Sequence, residues 1–350
     1  MNTALRTGLT TGTCAAAAAQ AAARVLCGEP PPEFAAIRLP GGELRRLAVE
    51  QAELTESGAR AAVRKDAGDD PDVTHGLLVW ADVVWTDGGD VTFRAGPGVG
   101  TVTRPGLQIP PGEPAINPVP RAMIRAAVRD VTARPMSVTI SVPGGEAVAQ
   151  KTFNPKLGIV GGLSILGSTG IVRPYSLAAV RDSFKCALDV AQACGVRCPV
   201  LVPGNTGRRG ASLQLHVADE QVIEVGNEWG FMAHQLAGRP FEAVLALGHP
   251  GKLAKLAAGW WDTHSSRSPS ALPLVRETAA ALGLTPPVVD TVEGVFQALA
   301  PADSRRLGEA LAERVREALA SRLGAPAAVM LVDMPGARLG CAGDLTPWTR

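Results

Sequence analysis

The stretch ALGHPGKLAKLAAGWWDTHSSRS, residues 246–268, carries two histidines, His249 and His264, with Lys252 between them and Thr263, Ser265 and Ser266 beside the second. Histidine titrates nearest neutrality, so it serves as general acid, general base or metal ligand. One histidine alone is as often a satisfied structural group as a catalytic one. Two of them, with an amine and a hydroxyl cluster in one short span, favour a site. The apolar run before His249 reads as a strand, and Gly251 opens a helix. That places His249 at the carboxyl end of a strand, the rim where α/β proteins bind ligands. His249, Lys252 and His264 are therefore the candidates for polar assistance in catalysis.

Two further stretches have the composition of binding loops. PGNTGRRGAS, residues 203–212, spaces Gly204, Gly207 and Gly210 between an apolar run and a possible helix, with Arg208 and Arg209 among them. Such a turn is either a plain tight turn or a place where a ligand approaches backbone N–H groups, and the two arginines tilt it towards an anion. The spacing is not the dinucleotide GxGxxG, and no acidic residue on a clear second strand supplies the usual ribose contact. VRKDAGDDPDVTHG, residues 63–76, packs Lys65, Asp66, Asp69, Asp70, Asp72 and His75 together. It lacks the ligand spacing and terminal Glu of a calcium loop. Asp72 reads as a solvated loop charge, whereas Lys65 and Asp66, beside Gly68, can be held inward only if something pairs with them.

The elements that must position these groups follow from texture. In LRTGLTTGTCAAAAAQAAARVLCG, residues 5–28, eight alanines lie between Ala15 and Ala23. That predicts a helix from Thr13, its N-cap, to Leu26, stopped by Gly28 and Pro30 to Pro32. A helix with so little bulk must lie close against another backbone. Residues 36–93 read as short strands and hairpins. A Gly/Pro-rich loop of more than twenty residues then leads into a helix near 121–131, followed by the strand MSVTISVPGG and the glycine-rich loop NPKLGIVGGLSILGSTGIVRPYS. From residue 177 onward the rhythm changes. Helices at 177–194, 229–237, 250–259, 272–282, 291–300 and 302–323 alternate with the apolar runs CPVLVP, QVIEVGN, EAVLALGH and AAVMLVDM. Strands alternating with helices predict a mostly parallel sheet covered on both faces. The fold class is thus α/β and α+β: an N-terminal α+β two-layer domain, 1–183, followed by a Rossmann-like domain, 184–350.

Bulk properties narrow the function. A chain of 350 residues with 46% hydrophobic and 19% charged residues has the composition of a globular protein. A net charge of +1 draws it to neither nucleic acid nor anionic lipid, and one Tyr with 4% aromatics offers little stacking surface for single strands. No run reaches the 18 or more apolar residues of a membrane span, and the alanine-rich start is interrupted by Gln20 and Arg24, unlike a signal peptide. Six irregularly spaced cysteines form neither a disulfide framework nor a zinc motif, so no metal site is expected. A cytoplasmic setting follows, and homo-oligomerisation is left open. GxSxG, Walker A and HExxH are absent, so glycine loops with scattered His, Lys and Arg remain, suited to an elongated polar small molecule.

Taken in order, RTGLTTGTCAAAAA, RKDAGDDPDVTHG, GVGTVTRPGL, GEPAINPVPR, NPKLGIVGGLSILGSTGIVRPYS and GHPGKLAKLAAGWWDTHS resemble the successive signatures of the CbiD family, from Arg6 to about Ser266. The resemblance implies an S-adenosylmethionine-dependent enzyme that methylates C-1 of a cobalt-containing, ring-contracted tetrapyrrole in anaerobic cobalamin biosynthesis, the cobalt belonging to the substrate. It also implies a fold of an α+β domain followed by a Rossmann-like one. On that reading Arg6, Thr10, Thr11, Thr13, Lys65 and Asp66 line the substrate cleft. Gly161, Gly162, Gly167, Ser168 and Thr169 in one loop, and Gly204, Asn205, Gly207 and Arg208 in another, contact cofactor or propionates. The chain departs from the family pattern after THS, with Arg267, Ser268 and Pro269 where an acidic residue is usual, so no carboxylate role is carried over there. A small-molecule kinase using GGLSILGSTG as a phosphate loop before a helix, and a non-catalytic tetrapyrrole carrier, are the rival readings.

Overall fold

The computed structural model describes residues 5–285 and 288–349. It has two units, Met1–Leu177 and Ala178–Arg350, each a mixture of helices and sheets.

In chain order the first unit runs β1 (Gly8–Leu9), α1 (Thr11–Leu26), β2 (Phe34–Arg38), β3 (Leu44–Ala48), β4 (Gln51–Leu54), β5 (Ala59–Arg64), β6 (Leu78–Trp85), β7 (Val91–Ala95), β8 (Gly98–Val99), β9 (Thr101–Val102), α2 (Pro118–Arg129), β10 (Met136–Ser141), α3 (Gly145–Ala149), β11 (Ile159–Val160), β12 (Gly162–Leu163) and β13 (Ile171–Val172). Its main sheet has the order β4-β5-β6-β10-β7, antiparallel except where β10 runs parallel to β7. The alanine helix is the core of this unit. From Cys14 to Ala23 no hydrophobic residue of α1 is exposed, and the helix packs on β5 and β6 on one side and on α2 on another. Alanines make this possible because they let the helix axis approach both layers without voids. The helix does bury its face against other backbone, as its composition demands. Its N-cap is Thr10 rather than Thr13: Thr10 has extended backbone and its Oγ1 accepts from the Thr13 N–H at 3.2 Å.

The second unit continues with α4 (Leu177–Ala193), β14 (Val200–Val202), α5 (Asn205–Gln214), β15 (Val222–Glu224), α6 (Trp229–Leu236), β16 (Val244–Gly248), α7 (Pro250–Ala257), α8 (Leu272–Ala281), α9 (Val292–Ala298), α10 (Pro301–Leu323), β17 (Ala327–Val332), β18 (Arg338–Ala342) and α11 (Thr346–Thr349). The sheet order is β15-β14-β16-β17-β18, with the first four strands parallel and β18 antiparallel at the edge. β14 and β16 are buried throughout, as the unbroken apolar runs at their positions require. The chain leaves β14 in one direction to reach β15 and lies on its other side in β16. The strand order therefore reverses between β14 and β16, and their carboxyl ends, at Pro203–Asn205 and Gly248–His249, flank that point.

Candidate functional site

In the first unit four stretches meet. β1 pairs antiparallel with β13, so the segment before α1 lies beside the end of the glycine-rich loop. The Leu9 N–H donates to Asp66 O at 2.7 Å, and Asp69 N–H donates to Arg6 O at 2.9 Å, which stacks 6–9 on 66–69. The three threonines fasten the glycine-rich loop to the start of α1. The Leu166 N–H donates to Thr11 Oγ1 at 2.9 Å, Thr13 Oγ1 donates to Gly170 O at 2.8 Å, and Gly167 lies against the Thr10 side chain. Thr10, Thr11 and Thr13 are thus buried and their hydroxyls are spent on the protein itself, so they position the loop rather than line a cleft. The same packing removes the phosphate-loop reading: β12 leads to this threonine-bound segment and to β13, and the next helix begins only at Leu177. Gly162 is buried against the backbone of Gly98, whereas Gly161, Ser168 and Thr169 form the exposed outer face, Thr169 Oγ1 accepting from the Ile171 N–H in a local turn.

The charged loop splits into two pairs. Lys65 is buried, its side chain 2% exposed, and its Nζ donates to Asp72 Oδ2 at 2.6 Å. Asp72 is therefore a structural counter-ion and not a solvated loop charge. It also accepts from Thr74 N at 2.8 Å and Thr74 Oγ1 at 2.6 Å, and these bonds with Lys65 hold its carboxyl below the usual range although burial pushes it up. Arg6 and Asp66 form the second, solvent-facing pair, with Arg6 Nη2 donating to Asp66 Oδ1 at 3.0 Å. The bond from the guanidinium and one from the Gly68 N–H lower the Asp66 carboxyl to about 2. Of the six residues expected to meet substrate, Arg6 and Asp66 are the two whose charged ends face solvent.

In the second unit the expected residues gather around the carboxyl ends of β14, β15 and β16. His249 caps α7: its Nδ1 accepts from the Gly251 N–H at 3.0 Å, and its Nε2 lies 2.7 Å from Glu293 Oε2. With Nδ1 accepting, Nε2 is the nitrogen that donates to Glu293, and both ring nitrogens are engaged. Lys252 donates to Asn227 Oδ1 at 2.9 Å, and Thr263 Oγ1 donates to the same oxygen at 3.2 Å. Burial, then the neighbouring Lys255 charge, pushes the Lys252 ammonium pKa down. Lys255 is buried and donates to Thr263 O at 3.1 Å and Ser268 Oγ at 2.9 Å, which ties the THS loop to α7. His264 is exposed, and its Nδ1 accepts from the Ser266 N–H at 3.2 Å within a local turn. Arg267 pairs with Asp262 at 2.9 Å and lies 3.6 Å from buried Glu228, which Arg181 also holds.

The glycine turn after β14 packs closely on the sheet. Gly207 faces the sheet, where an added Cβ would lie 2.7 Å from Leu247 O; it allows α5 to pack closely on β14 and β16. Arg208 donates one bond to Val222 O at 2.9 Å, and the exposed Arg209 donates one to Met334 O at 3.4 Å. Gly204 and Asn205 stay at the strand end. An acidic residue does occupy a second strand: Glu224 is the last residue of β15, paired in register with Val202 of β14. The run QVIEVGN is legible as a strand in the sequence. Among the described residues no group of His, Cys, Asp or Glu could hold a metal ion, and no helix is long and apolar enough to cross a membrane.

Comparison with known proteins accounts for both units. The family model described as CbiD matches residues 1–174, and that described as CbiD, C-terminal domain, matches residues 262–343. The cobalt-precorrin-5B C(1)-methyltransferase of Syntrophotalea carbinolica is 54% identical over 348 residues, covering 98% of this chain and 99% of the relative. The enzyme of the same name from Paramagnetospirillum magneticum is 42% identical over 351 residues, covering 97% and 98%. A crystal structure of a cobalamin biosynthesis protein, CbiD, from Archaeoglobus fulgidus is 32% identical, covering 80% of this chain and 85% of that one, with a TM-score of 0.41. Identity at this level along nearly the whole chain leaves one conclusion: this protein belongs to the CbiD family.

Proposed function

We propose that the chain is a C-methyltransferase that moves the methyl group of S-adenosylmethionine to C-1 of cobalt-precorrin-5B, giving cobalt-precorrin-6A in cobalamin biosynthesis. The observation that carries this is the 54% identity over 98% of the chain to an enzyme of that name.

The chemistry asks little of side chains at the reacting atoms. The sulfonium methyl is already electrophilic; its S–CH3 bonding pair stays on sulfur as a neutral thioether leaves, and the macrocycle supplies the pair for the new C–C bond. The protein's work is to align carbon with methyl and exclude water. We assign the second unit a Rossmann-like role, with Gly204, Asn205 and the β15 and β16 ends as the cofactor crevice, because ligands of open parallel sheets lie where the strand order reverses. Lys252, half-buried with a lowered pKa, is the polar group we place at that crevice. His249 acts by fixing the start of α7, since both its nitrogens are engaged. In the first unit the exposed Arg6 guanidinium and the outer face of the loop through Gly161, Ser168 and Thr169 are the groups we assign to substrate carboxylates. A cytoplasmic enzyme that acts on a free tetrapyrrole agrees with these parts.

The test is anaerobic incubation with cobalt-precorrin-5B and methyl-labelled S-adenosylmethionine, followed by mass analysis. A product heavier by one labelled methyl is expected. Binding of the corrinoid with no mass gain would leave a carrier and refute the enzyme.

A further inference from the structure

We propose that the ring of Tyr175 packs on the flat face of the tetrapyrrole, beside the Arg6 guanidinium that meets its carboxylates; this rests on the substrate reading above. Tyr175 is the chain's single tyrosine and, among the described residues, the one non-glycine with a positive φ, +56°. It follows Pro174 in the turn between β13 and α4. A turn that puts a positive φ after proline calls for glycine or asparagine, and a bulky side chain there is a backbone outlier. Such outliers persist where their surroundings hold them, and they gather at ligand sites. Here Asp70 Oδ1 accepts the Tyr175 N–H at 2.8 Å. The ring that this bond holds in place is not packed into the fold, for Tyr175 is 73% exposed.

The same loop fixes Arg6. Asp69, next to Asp70 in the chain, accepts the Arg6 N–H at 2.6 Å through Oδ2. β1 and β13 run antiparallel, so Arg6 and Pro174 leave the same end of that pair, each two residues beyond it. An aromatic ring and a guanidinium therefore share one rim, and the two carboxylates that brace them are each engaged by a backbone N–H. Leu5, Val73 and Leu166, on the stretches that meet there, are exposed as well. Exposed apolar surface with an aromatic and a cation fits a broad conjugated ring with carboxylates at its edge: the faces stack, and the guanidinium takes a carboxylate.

The experiment compares transfer of labelled methyl to cobalt-precorrin-5B by the full chain, wild type, Y175G and Y175F, with thermal melts of all three. Glycine suits the left-handed backbone, so Y175G should melt no lower than wild type. Its KM for the corrinoid should rise roughly 3- to 10-fold, the range of an aromatic contact, while kcat and the KM for S-adenosylmethionine change little. Y175F keeps the ring and should retain most of the affinity that Y175G loses. A Y175G KM equal to that of wild type, a loss in Y175F as large as in Y175G, or a Y175G that melts several degrees lower would overturn the assignment while the methyltransferase stands. If wild type transfers no methyl group, the substrate reading fails and this inference with it.

Discussion

Replacing Asp72 by Asn should cost the first unit more than replacing its partner Lys65 by Met. The Lys65 side chain is 2% exposed and that of Asp72 24%. In the D72N variant the ammonium stays buried beside a neutral amide, and stranding one member of a buried pair costs about 3–5 kcal/mol. Partial exposure at Asp72, and an amide oxygen that still accepts, reduce this to about 2–4 kcal/mol. In K65M the carboxylate keeps both bonds from Thr74 and reaches water, so the loss is about 1–2 kcal/mol. A unit of this size loses about 2–4 °C of Tm per kcal/mol, which separates the two variants by several degrees in scanning calorimetry. The double variant K65M/D72N should recover part of the D72N loss, because no charge is left stranded. The Asp72 pKa is lowered on folding, so its contribution is complete above the ordinary carboxylate value and disappears as pH falls through the lower folded value. The gap between wild type and D72N should therefore be constant between about pH 7 and 5 and close below about pH 4. A K65M loss equal to or larger than that of D72N, or a double variant whose losses simply add, would refute the reasoning.

Three other outcomes follow from the geometry. Ala18→Leu in α1, at a position with no exposed surface, should overpack the interface between the helix and its neighbours and lower stability by about 1–3 kcal/mol in denaturant melts, whereas an unchanged midpoint would mean the core has slack. Burial lifts the Cys14 thiol to about 12, so an aromatic disulfide reagent at pH 8 should label exposed Cys27 and spare Cys14 until the chain unfolds; early labelling of Cys14 by peptide mapping would contradict its place in the core. His249→Ala removes the acceptor at the start of α7 and should cost about 1 kcal/mol, while His249→Asn restores the cap and most of kcat; a stable H249N with turnover abolished would make the imidazole catalytic.

Local chemistry was legible in the sequence wherever it concerned elements. The helices at 177–194, 229–237 and 302–323 and the apolar runs ending in Pro203 and His249 lie within a residue or two of their observed places, because periodicity and Gly/Pro punctuation are local signals. What was hidden was which side chains the fold would consume. Thr11 and Thr13 looked available to a ligand, but their partners, Leu166 and Gly170, lie more than 150 residues away in the chain. Lys65 gave no sign that Asp72, seven residues on, was its counter-ion, since spacing in a loop does not fix direction. Composition left the turn around Arg208 and Arg209 open between a plain tight turn and an anion site, and the bond each makes to a carbonyl, Val222 O and Met334 O, depends on distant segments that composition does not reveal. The pairing of β15 beside β14 is likewise hidden, because a single strand's sequence does not carry its neighbour.

Cobalt-precorrin-5B supplied with S-adenosylmethionine carrying a 13C-methyl group, in the presence of the purified protein and without oxygen, should give a product whose labelled methyl correlates by NMR with C-1 of the macrocycle. A label on another ring position, or a macrocycle recovered without label while S-adenosylmethionine stays intact, would contradict the account.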